Sequence, residues 1–536
     1  MQLLRKSAAL AASFSLFLAG CGSQTNVPGP ATNSTLAIKH VIVIYDENVS
    51  FDHYFGTYPT ALNLQGENPF TAASGTPSVN GLSGTLLTAN PNLNPANGDG
   101  ATNPFRLAPS QAATADQDHS YTPEQMAFDN GAMDLFPLSV GAGNTTGEGI
   151  TTTTGLTMGY FDGNTVTGLW NYAQNFALND NSFGTNFGPS TPGAINVISG
   201  QTNGVGATLN GTSDEVDDGN GGLTLIGDAD PIGDVCASPT RAQAQMTSPN
   251  IGDLLNTKSI TWGAFMGGFD LTATNTNGTT GCARSTTSAI TGVTETDYIP
   301  HHAWFQYYAS TSNPGHTRPS SPTAIGTSSD GGANHQYDLN DFFAAVSAGN
   351  LPAVSFLKAQ AYQDGHAGYS DPIDEQAFIV NVVNTIEQSK FWGSTAIIIA
   401  YDDSDGWYDH VYNKPVNGSA TTADVLNGTG ICGTSTTALP GVNSATTHAQ
   451  GRCGYGPRLP LLVISPWAKP NYVDGTLTDQ SSITRFIEDT FLAGTRIGFG
   501  STDSIAGTIN NMFNFSQPAP QNKNLPILDP TTGEPQ

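Results

Sequence analysis

Two pairs of oxygen-bearing side chains stand directly after two apolar runs. Glu47 and Asn48 follow the first run, and Asp402 and Asp403 follow the second. Ligands of open α/β sheets bind at the carboxyl ends of the strands, where side chains from separate strands can meet. One acidic residue after a strand more often lies at the surface, but two such pairs after two core strands predict one shared site. Carboxylate and amide oxygens suit one hard divalent cation, which could be calcium, magnesium, manganese or iron.

The elements that must position these residues follow from the pattern of apolar residues. Ile38–Tyr45 and Ala396–Tyr401 are β-branched and almost continuously apolar, which predicts strands buried on both faces. Leu459–Ser465 is a third run of this kind. Apolar residues recur at helical spacing in Phe378–Ile386, behind an Asp-Pro pair suited to a helix N-terminus, and in Ser481–Leu492. Strands that alternate with helices predict an α/β fold with a mainly parallel sheet.

The connections between these elements are unusually long and rich in Gly, Thr, Asn and Ser. Loops of this length in a compact domain are in most cases functional or disordered. The sequence has no internal repeat and no linker that divides it, so we predict one large domain with long inserted loops. The longest connections are residues 63–113, 141–155, 200–235, 272–296 and 412–451.

The N-terminus has the features of an export signal. Arg5 and Lys6 precede about a dozen apolar residues, a run too short to span a bilayer as a helix. The run ends in Leu-Ala-Gly-Cys21, which resembles the bacterial lipobox, where the cysteine is lipidated. We predict a signal peptide over residues 1–21, a spacer over 22–36 and a protein exported and lipid-anchored to the bacterial cell envelope, with no other contact with the membrane. An ordinary signal peptide with an incidental cysteine is the alternative.

Four cysteines remain once Cys21 is set aside, and an even number favours two disulfides in an exported chain. Of the three possible pairings, proximity in the sequence favours Cys236–Cys282 and Cys432–Cys453. Zinc is the weaker alternative, because no Cys-x-x-Cys motif or Cys/His cluster accompanies these residues.

The charge balance restricts the partners. With 17 Lys and Arg against 44 Asp and Glu, the formal net charge is −27. Such a surface repels nucleic acid backbones and anionic membranes, so we expect no nucleic-acid partner. Only 11% of the residues are charged, while 61 Gly and 33 Pro indicate a compact, loop-rich protein.

The stretch around Glu47 and Asn48 also resembles a known family. Residues 38–56, which end in Ser-Phe-Asp-His-Tyr-Phe-Gly, look like the opening signature of the bacterial phosphoesterase family of phospholipases C and acid phosphatases. Val49 stands where that family usually has Arg. Further matching blocks extend the resemblance to about residue 492. Those blocks are Asp118–Ser120, Gly188–Pro192, His301–His302, Asp364–His366, Tyr401–His410 and Arg458–Ser465.

The resemblance implies a three-layer α/β/α sandwich similar to alkaline phosphatases and sulfatases. The catalytic domain would span residues 37–516, ahead of a C-terminal arm over 517–536. The resemblance also implies that Ser190 is the nucleophile, since a bound metal ion lowers the pKa of a serine hydroxyl and neutralises charge on phosphate. On its own, Ser190 would more often be a turn residue. The implied metal ligands are Glu47, Asn48, Asp402 and Asp403.

Histidines in the matching blocks complete the implied site. Those that would line it are His119, His302 and His366. Histidine there can donate to phosphate oxygens and protonate the leaving alkoxide, because its pKa lies near working pH. We expect a structural role for His301, and a packing or supporting role for His53 and His410.

Two details favour the acid phosphatase branch of the family. Ser190 stands where phospholipases C more often have Thr, and Asp402-Asp403 is followed by Ser404-Asp405 where phospholipases tend to have Asp-Glu and then Gly-Gly. The expected function is a phosphomonoesterase that hydrolyses phosphate esters through a phosphoserine. Phospholipase C acting on phosphatidylcholine-type phosphodiesters is the alternative. A non-catalytic ligand-binding lipoprotein is an alternative of another class, which the presence of nucleophile, metal ligands and acids together disfavours.

Overall fold

A computed structural model describes residues 37–144, 152–211, 213–433, 449–516 and 527–536. The predicted signal peptide with its lipidated Cys21 and the predicted spacer lie outside the described residues. So do residues 517–526 of the predicted C-terminal arm and parts of three of the long connections.

Strands form one large central sheet and several smaller ones. They are β1 (His40–Asp46), β2 (Phe105–Arg106), β3 (Gly159–Tyr160), β4 (Ala177–Asn179), β5 (Ser182–Phe183), β6 (Asn203–Leu209), β7 (Glu215–Asp217), β8 (Leu223–Leu225), β9 (Asp230–Pro231), β10 (Gln243–Met246), β11 (Trp262–Met266), β12 (Ser285–Thr287), β13 (Thr294–Thr296), β14 (Gln336–Asp338), β15 (Val354–Lys358), β16 (Thr395–Tyr401), β17 (Leu461–Ile464), β18 (Tyr472–Asp474) and β19 (Thr478–Asp479). The large sheet has eight strands in the order β14-β11-β15-β1-β16-β17-β4-β18. All neighbouring pairs are parallel except β16–β17 and β17–β4, which confirms the predicted mainly parallel sheet.

The first predicted core strand is central in this sheet. β1 lies between β15 and β16 and pairs with both in parallel. It is buried from Val41 to Asp46, and β16 is buried along its whole length. Continuous β-branched side chains suit such strands because helices cover both faces of a parallel sheet.

Helices lie on both faces of the large sheet. Successive residues of a strand point to opposite faces. On one face, the hydroxyl of Tyr45 donates to the carbonyl of Gly193 at 2.9 Å. On the other, Asp46 pairs in register with Tyr401, whose hydroxyl donates to Glu375. The helices are α1 (Phe51–Phe55), α2 (Thr85–Thr88), α3 (Tyr121–Phe128), α4 (Phe136–Ser139), α5 (Thr167–Asn175), α6 (Ser190–Ser199), α7 (Ile251–Thr257), α8 (Leu339–Ser347), α9 (Pro372–Glu387) and α10 (Ser481–Phe491).

Helix α6 contains Gly193 and helix α9 contains Glu375, so these two helices lie on opposite faces of the large sheet. The sheet and the helices on its two faces form the three-layer α/β/α sandwich. Both predicted helices form as α9 and α10. The Asp371 carboxylate caps α9 by accepting the backbone N–H groups of Ile373 and Asp374.

Two of the predicted loops contain paired strands. Residues 272–296 include β12 and β13, which pair with each other. Within residues 200–235 the chain forms strands β6 to β9, which join β10 in a five-stranded sheet of order β7-β8-β6-β10-β9. The prediction of a loop was wrong because these strands are short and carry little apolar alternation. In β6, for example, only Val205 is buried. Pairing with strands distant in the sequence stabilises them.

Both favoured disulfides are present in the structure. Cys236 is bonded to Cys282, and Cys432 is bonded to Cys453. The second bond is fully buried. Among the residues that the structure describes, no helix combines the length and the apolar character needed to cross a bilayer.

The last residues of the chain lie against two helices of the sandwich. Leu528 is buried, and its carbonyl accepts a hydrogen bond from Asn384 of α9 at 2.8 Å. The carbonyl of Gly533 accepts one from Asn171 of α5 at 2.8 Å. The described part of the predicted arm is therefore packed onto the α5–α9 face.

Candidate active site

Three neighbouring strand ends bring charged side chains to one edge of the large sheet. The parallel strands β15, β1 and β16 are adjacent, and Lys358, Glu47 and Asp402 stand at or directly after their carboxyl ends. The backbone N–H of Asn48 donates to Asp402 Oδ1 at 3.2 Å across 354 positions of sequence. Because parallel strands end at the same edge, the two pairs predicted from the sequence meet in space.

Ser190, the first residue of α6, lies among these side chains. Its Oγ is 2.9 Å from Glu47 Oε2 and 3.2 Å from Asp403 Oδ2, and it is 3.4 Å from Asn48 Oδ1. The residue is 1% exposed. The structure therefore places the predicted nucleophile against three of the four predicted metal ligands.

A glycine allows α6 to approach this edge of the sheet. A Cβ atom at Gly193 would lie 2.1 Å from the backbone oxygen of Asp402, a distance at which no side chain fits. The hydroxyl of Tyr45, on β1, donates to the carbonyl of the same glycine. The absence of a side chain at this position thus determines how closely Ser190 approaches the carboxylates.

Two acidic residues that the sequence did not single out hold the segment around the nucleophile. Glu124 Oε2 accepts the backbone N–H of Gly188 at 3.0 Å, and its Oε1 accepts the hydroxyl of Ser404 at 2.8 Å. Asp228 Oδ1 accepts the N–H of Thr191 at 2.9 Å. Glu124 thereby connects the nucleophile segment to the loop after β16. No local sequence pattern marks either residue.

The carboxylates of the site repel one another. Burial raises the pKa of Glu47, Asp402 and Asp403, that of Asp403 to about 8, and neighbouring carboxylates raise them further. Asp402 Oδ2 is buried without a hydrogen-bond partner. Groups of this kind are stabilised by a cation, which compensates their charge. The chemistry of the donor set therefore fits a hard divalent metal ion.

The orientation of Asn48 supports the same conclusion. His366 Nδ1 lies 2.6 Å from the carbonyl of Ala367, and burial lowers the pKa of His366 to about 4. The neutral ring thus donates through Nδ1 and accepts at Nε2. One terminal atom of the Asn48 amide lies 3.1 Å from Nε2, and the other lies 2.7 Å from Glu47 Oε2 and 3.0 Å from Asp402 Oδ1. The second atom lies among the carboxylates, in the position from which an amide oxygen would bind a cation together with them.

The two other predicted histidines differ in their surroundings. His302 is buried with Nδ1 3.2 Å from Glu47 Oε1, and burial lowers its pKa, so it orients that carboxylate as a neutral ring. His119 Nδ1 lies 3.1 Å from Asp405 Oδ1. Burial opposes a charge on His119, but Asp403 and Asp405 raise its pKa well above 6.5. His119 therefore carries a proton at neutral pH.

His301 and His53 lie outside this group. His301 faces the Asp228 carboxylate at 4.0 Å. His53 is buried and stacks on the ring of Trp407 with the centroids 4.0 Å apart, and burial lowers its pKa to about 3. A packing role is what the sequence led us to expect for His53.

Arg458 joins the two segments that follow β1 and β16. Its guanidinium is fully buried and donates to Asp52 Oδ1 at 2.9 Å and to Asp409 Oδ2 at 3.0 Å. Asp52 lies in α1, and Asp409 lies in the loop after β16. His410 Nδ1 is 2.6 Å from the second oxygen of Asp52, which gives this histidine the supporting role expected from the sequence.

The sequence prediction missed Lys358. Its Nζ contacts Glu47 Oε1 closely and lies 3.5 Å from Asp402 Oδ2. Burial opposes a charge on Lys358, but these carboxylates raise its pKa. A signal was available, because Val354–Lys358 is a buried apolar run that ends in a charged residue, the same pattern that identified Asp402.

A cavity of about 630 Å³ opens beside the nucleophile segment. Pro189 and His119 are part of its lining, so this is the side from which a substrate would approach Ser190. The charged residues of the lining are Asp116, Asp118, Asp214, Asp228 and Arg241.

The chain is similar in sequence to known phosphoesterases. The sequence profile of the Phosphoesterase family matches residues 38–492. The non-hemolytic phospholipase C of Pseudomonas aeruginosa is 24% identical over 508 residues, which are 92% of this chain and 59% of that protein. Phospholipase C A of Mycobacterium tuberculosis is 24% identical over 501 residues, covering 91% of this chain and 80% of that protein. A solved structure of an alkaline phosphatase superfamily protein from Vibrio parahaemolyticus aligns with 76% of this chain and 77% of its own, at 12% identity and a TM-score of 0.27.

Proposed function

The chain belongs to the Phosphoesterase family, and on that premise we propose that it is a metal-dependent phosphomonoesterase of the acid phosphatase type. Membership of the family supports a hydrolase that acts on phosphoric ester bonds. The observation that carries the proposal is the Ser190 hydroxyl, buried at the start of α6 within reach of Glu47 Oε2 and Asp403 Oδ2. A serine so placed has carboxylate acceptors for its proton and a cation site beside it.

The metal site consists of oxygen-bearing side chains around Ser190 Oγ. Once bound, a divalent cation lowers the pKa of the hydroxyl and neutralises charge on the phosphate. Carboxylate and amide oxygens fit calcium, magnesium, manganese or iron. The proposed ligands are Glu47, Asn48, Asp402 and Asp403.

The residues of the chain perform two displacement steps. In the first, Ser190 Oγ forms a bond to phosphorus while the bond from phosphorus to the leaving oxygen breaks. The Ser190 proton is released to solvent, because a cation held by the neighbouring carboxylates would lower the pKa of the hydroxyl. His119, which lines the cavity and carries a proton, protonates the leaving oxygen.

In the second step, water attacks the phosphorus of the phosphoserine. His119, now neutral, accepts a proton from that water, and the Oγ–phosphorus bond breaks. The Ser190 oxygen takes up a proton from solvent, and inorganic phosphate leaves through the cavity. His302 and His366 keep Glu47 and Asn48 in orientation throughout.

The named relatives favour a second candidate. Both are phospholipases C, which supports hydrolysis of phosphatidylcholine-type phosphodiesters at the same serine. The two candidates differ in substrate and share the nucleophile and the metal site.

A hydrolysis panel tests the proposal. Purified protein is assayed with p-nitrophenyl phosphate, p-nitrophenyl phosphorylcholine and phosphatidylcholine, before and after removal of metal by a chelator. We expect fastest turnover of the monoester, loss of activity without metal and recovery when metal returns. Faster turnover of the diesters would replace the first candidate by the second.

Two matched variants test the nucleophile. Ser190→Ala should lose activity by about 10³-fold or more while it still binds metal, and mass spectrometry of acid-quenched wild type should show a phosphoryl group on Ser190. Ser199→Ala, at the other end of α6, should keep full activity, because its hydroxyl donates to the carbonyl of Gln201 and contacts none of the proposed metal ligands. An active Ser190→Ala variant would contradict the assignment.

We further propose that the protein is exported and carries a lipid on Cys21. The two disulfides support an oxidising compartment. Mass spectrometry of the envelope-extracted protein should show a lipid-modified cysteine as the first residue, and Cys21→Ser should release the protein from the membrane fraction. An unmodified Cys21 in the mature protein would contradict this proposal.

A further inference from the structure

The two carboxylate oxygens of Glu47 face different partners. Oε2 accepts the hydroxyl of Ser190 at 2.9 Å. Oε1 faces away from the nucleophile, where it contacts Lys358 Nζ and lies 3.2 Å from His302 Nδ1. Oε2 is therefore part of the proposed metal site beside the serine, and Oε1 contacts the ammonium group of Lys358.

The two carboxylate oxygens of Asp402 also face different partners. Its Oδ1 accepts the backbone N–H groups of Asn48 at 3.2 Å and of Asp403 at 2.8 Å. Its Oδ2 has no hydrogen-bond partner and lies 3.5 Å from Lys358 Nζ. The ammonium group thus bridges Glu47 and Asp402, as a cation shared by two carboxylates does.

Lys358 is a fixed part of the fold. Its side chain is 3% exposed, and its Nζ lies 5.9 Å from the centroid of the Tyr45 ring. It ends β15, which pairs with β1 in parallel register up to Ile44 and Leu357. The strand pairing therefore positions the ammonium beside the residue that follows β1.

The position of this ammonium group indicates what it replaces. Lys358 Nζ lies between Glu47 Oε1 and Asp402 Oδ2, where a second cation shared by the two carboxylates would lie. Sites with two catalytic metal ions place them about 3.5–4 Å apart between shared carboxylates.

We propose that the Lys358 ammonium occupies the place of a second cation, so that the chain binds one divalent metal ion, on the Ser190 side of Glu47. Lys358 is then a positioning residue that sets metal stoichiometry. The proposal rests on the metal site of the proposed function.

Metal binding measured without any substrate tests this. Apoprotein is titrated with Mn²⁺ in a calorimeter, and bound metal is counted by elemental analysis after gel filtration. Wild type should bind one Mn²⁺ per chain, and Lys358→Met should bind two. Paramagnetic resonance of the loaded variant should show a coupled Mn²⁺ pair, a signature that a purely structural role for the lysine would not produce.

Matched controls complete the test. Lys358→Arg keeps a cation at this position and should bind one Mn²⁺, as should Lys390→Met, which removes an exposed lysine at the other end of the sheet. Two ions bound to wild type would overturn the proposal even if the Lys358→Met variant failed to fold. One ion or none bound to a folded Lys358→Met variant would also overturn it. A wild type that binds one ion but hydrolyses no ester would refute the proposed function and leave this inference standing.

Discussion

Replacing Arg458 by methionine should destabilise the protein more than replacing any exposed charged residue. The guanidinium donates six hydrogen bonds of 2.7–3.1 Å and is 0% exposed. Methionine has a similar length but no donor, so Asp52 and Asp409 would remain buried without their counter-ion. Removing one partner of a buried ion pair costs about 3–5 kcal/mol. Arg458→Lys keeps the charge but loses the planar set of N–H donors of the guanidinium. We expect it to lower the free energy of unfolding by about 2 kcal/mol.

The assay is guanidinium denaturation followed by intrinsic fluorescence, with Mn²⁺ affinity measured on the same samples. Affinity should fall in Arg458→Met, because its partners lie on the segments that carry the proposed ligands. Arg318→Met is the matched control: its side chain is 29% exposed beside Asp270 and Asp341, and it should cost less than about 1 kcal/mol. If Arg458→Met lowers the free energy of unfolding by no more than Arg318→Met does, the prediction is wrong. Adding Asp409→Asn to Arg458→Met should recover part of the loss, since one uncompensated charge is removed.

Two further predictions concern stability. Burial raises the pKa of Glu387 from 4.5 to about 8, and neither of its carboxylate oxygens has a hydrogen-bond partner. A raised carboxyl pKa means that the folded state binds the proton more tightly, so stability should fall as pH rises from about 4.5 to 8. Glu387→Gln should therefore match wild type at pH 4 and exceed it at pH 9 by at most about 5 kcal/mol in denaturant titrations. Equal stability at pH 9 would contradict this. The Cys432–Cys453 disulfide closes a loop with a sequence separation of 21, so replacing both cysteines by serine should cost about 3 kcal/mol in the same titrations, and an unchanged midpoint would rule this out.

The strands that position the site could be predicted from local sequence patterns. β1 and β16 are continuous runs of β-branched residues, and such runs have few alternatives to a strand buried on both faces. A charged or amide residue directly after such a strand must lie at its carboxyl end. The convergence of Glu47 and Asn48 with Asp402 and Asp403 then follows from parallel pairing alone. Ser190 needed the resemblance to a family, because a Pro-Ser-Thr sequence by itself is ordinary turn chemistry.

The small sheet shows where local patterns fail. Strands β7 to β9 are only two or three residues long, and β6 is mostly unburied and contains two glycines, so that its composition resembles that of a loop. They form because each pairs with a neighbour, and pairing depends on backbone groups that every residue has. Side-chain patterns therefore carried no signal for them.

The sequence by itself predicted the class of fold and the four oxygen-bearing residues of the proposed metal site, and it favoured the pairing of the cysteines that the structure shows. Each of these depends on side chains that are close in sequence or on strands whose ends must coincide. Only the tertiary structure decided that Lys358 lies against Glu47 and that Arg458 joins α1 to the loop after β16. Both contacts depend on strand order and on packing between segments hundreds of residues apart. A buried charge takes its role from the neighbours that the fold provides, and those neighbours cannot be inferred from the residues beside it in the chain.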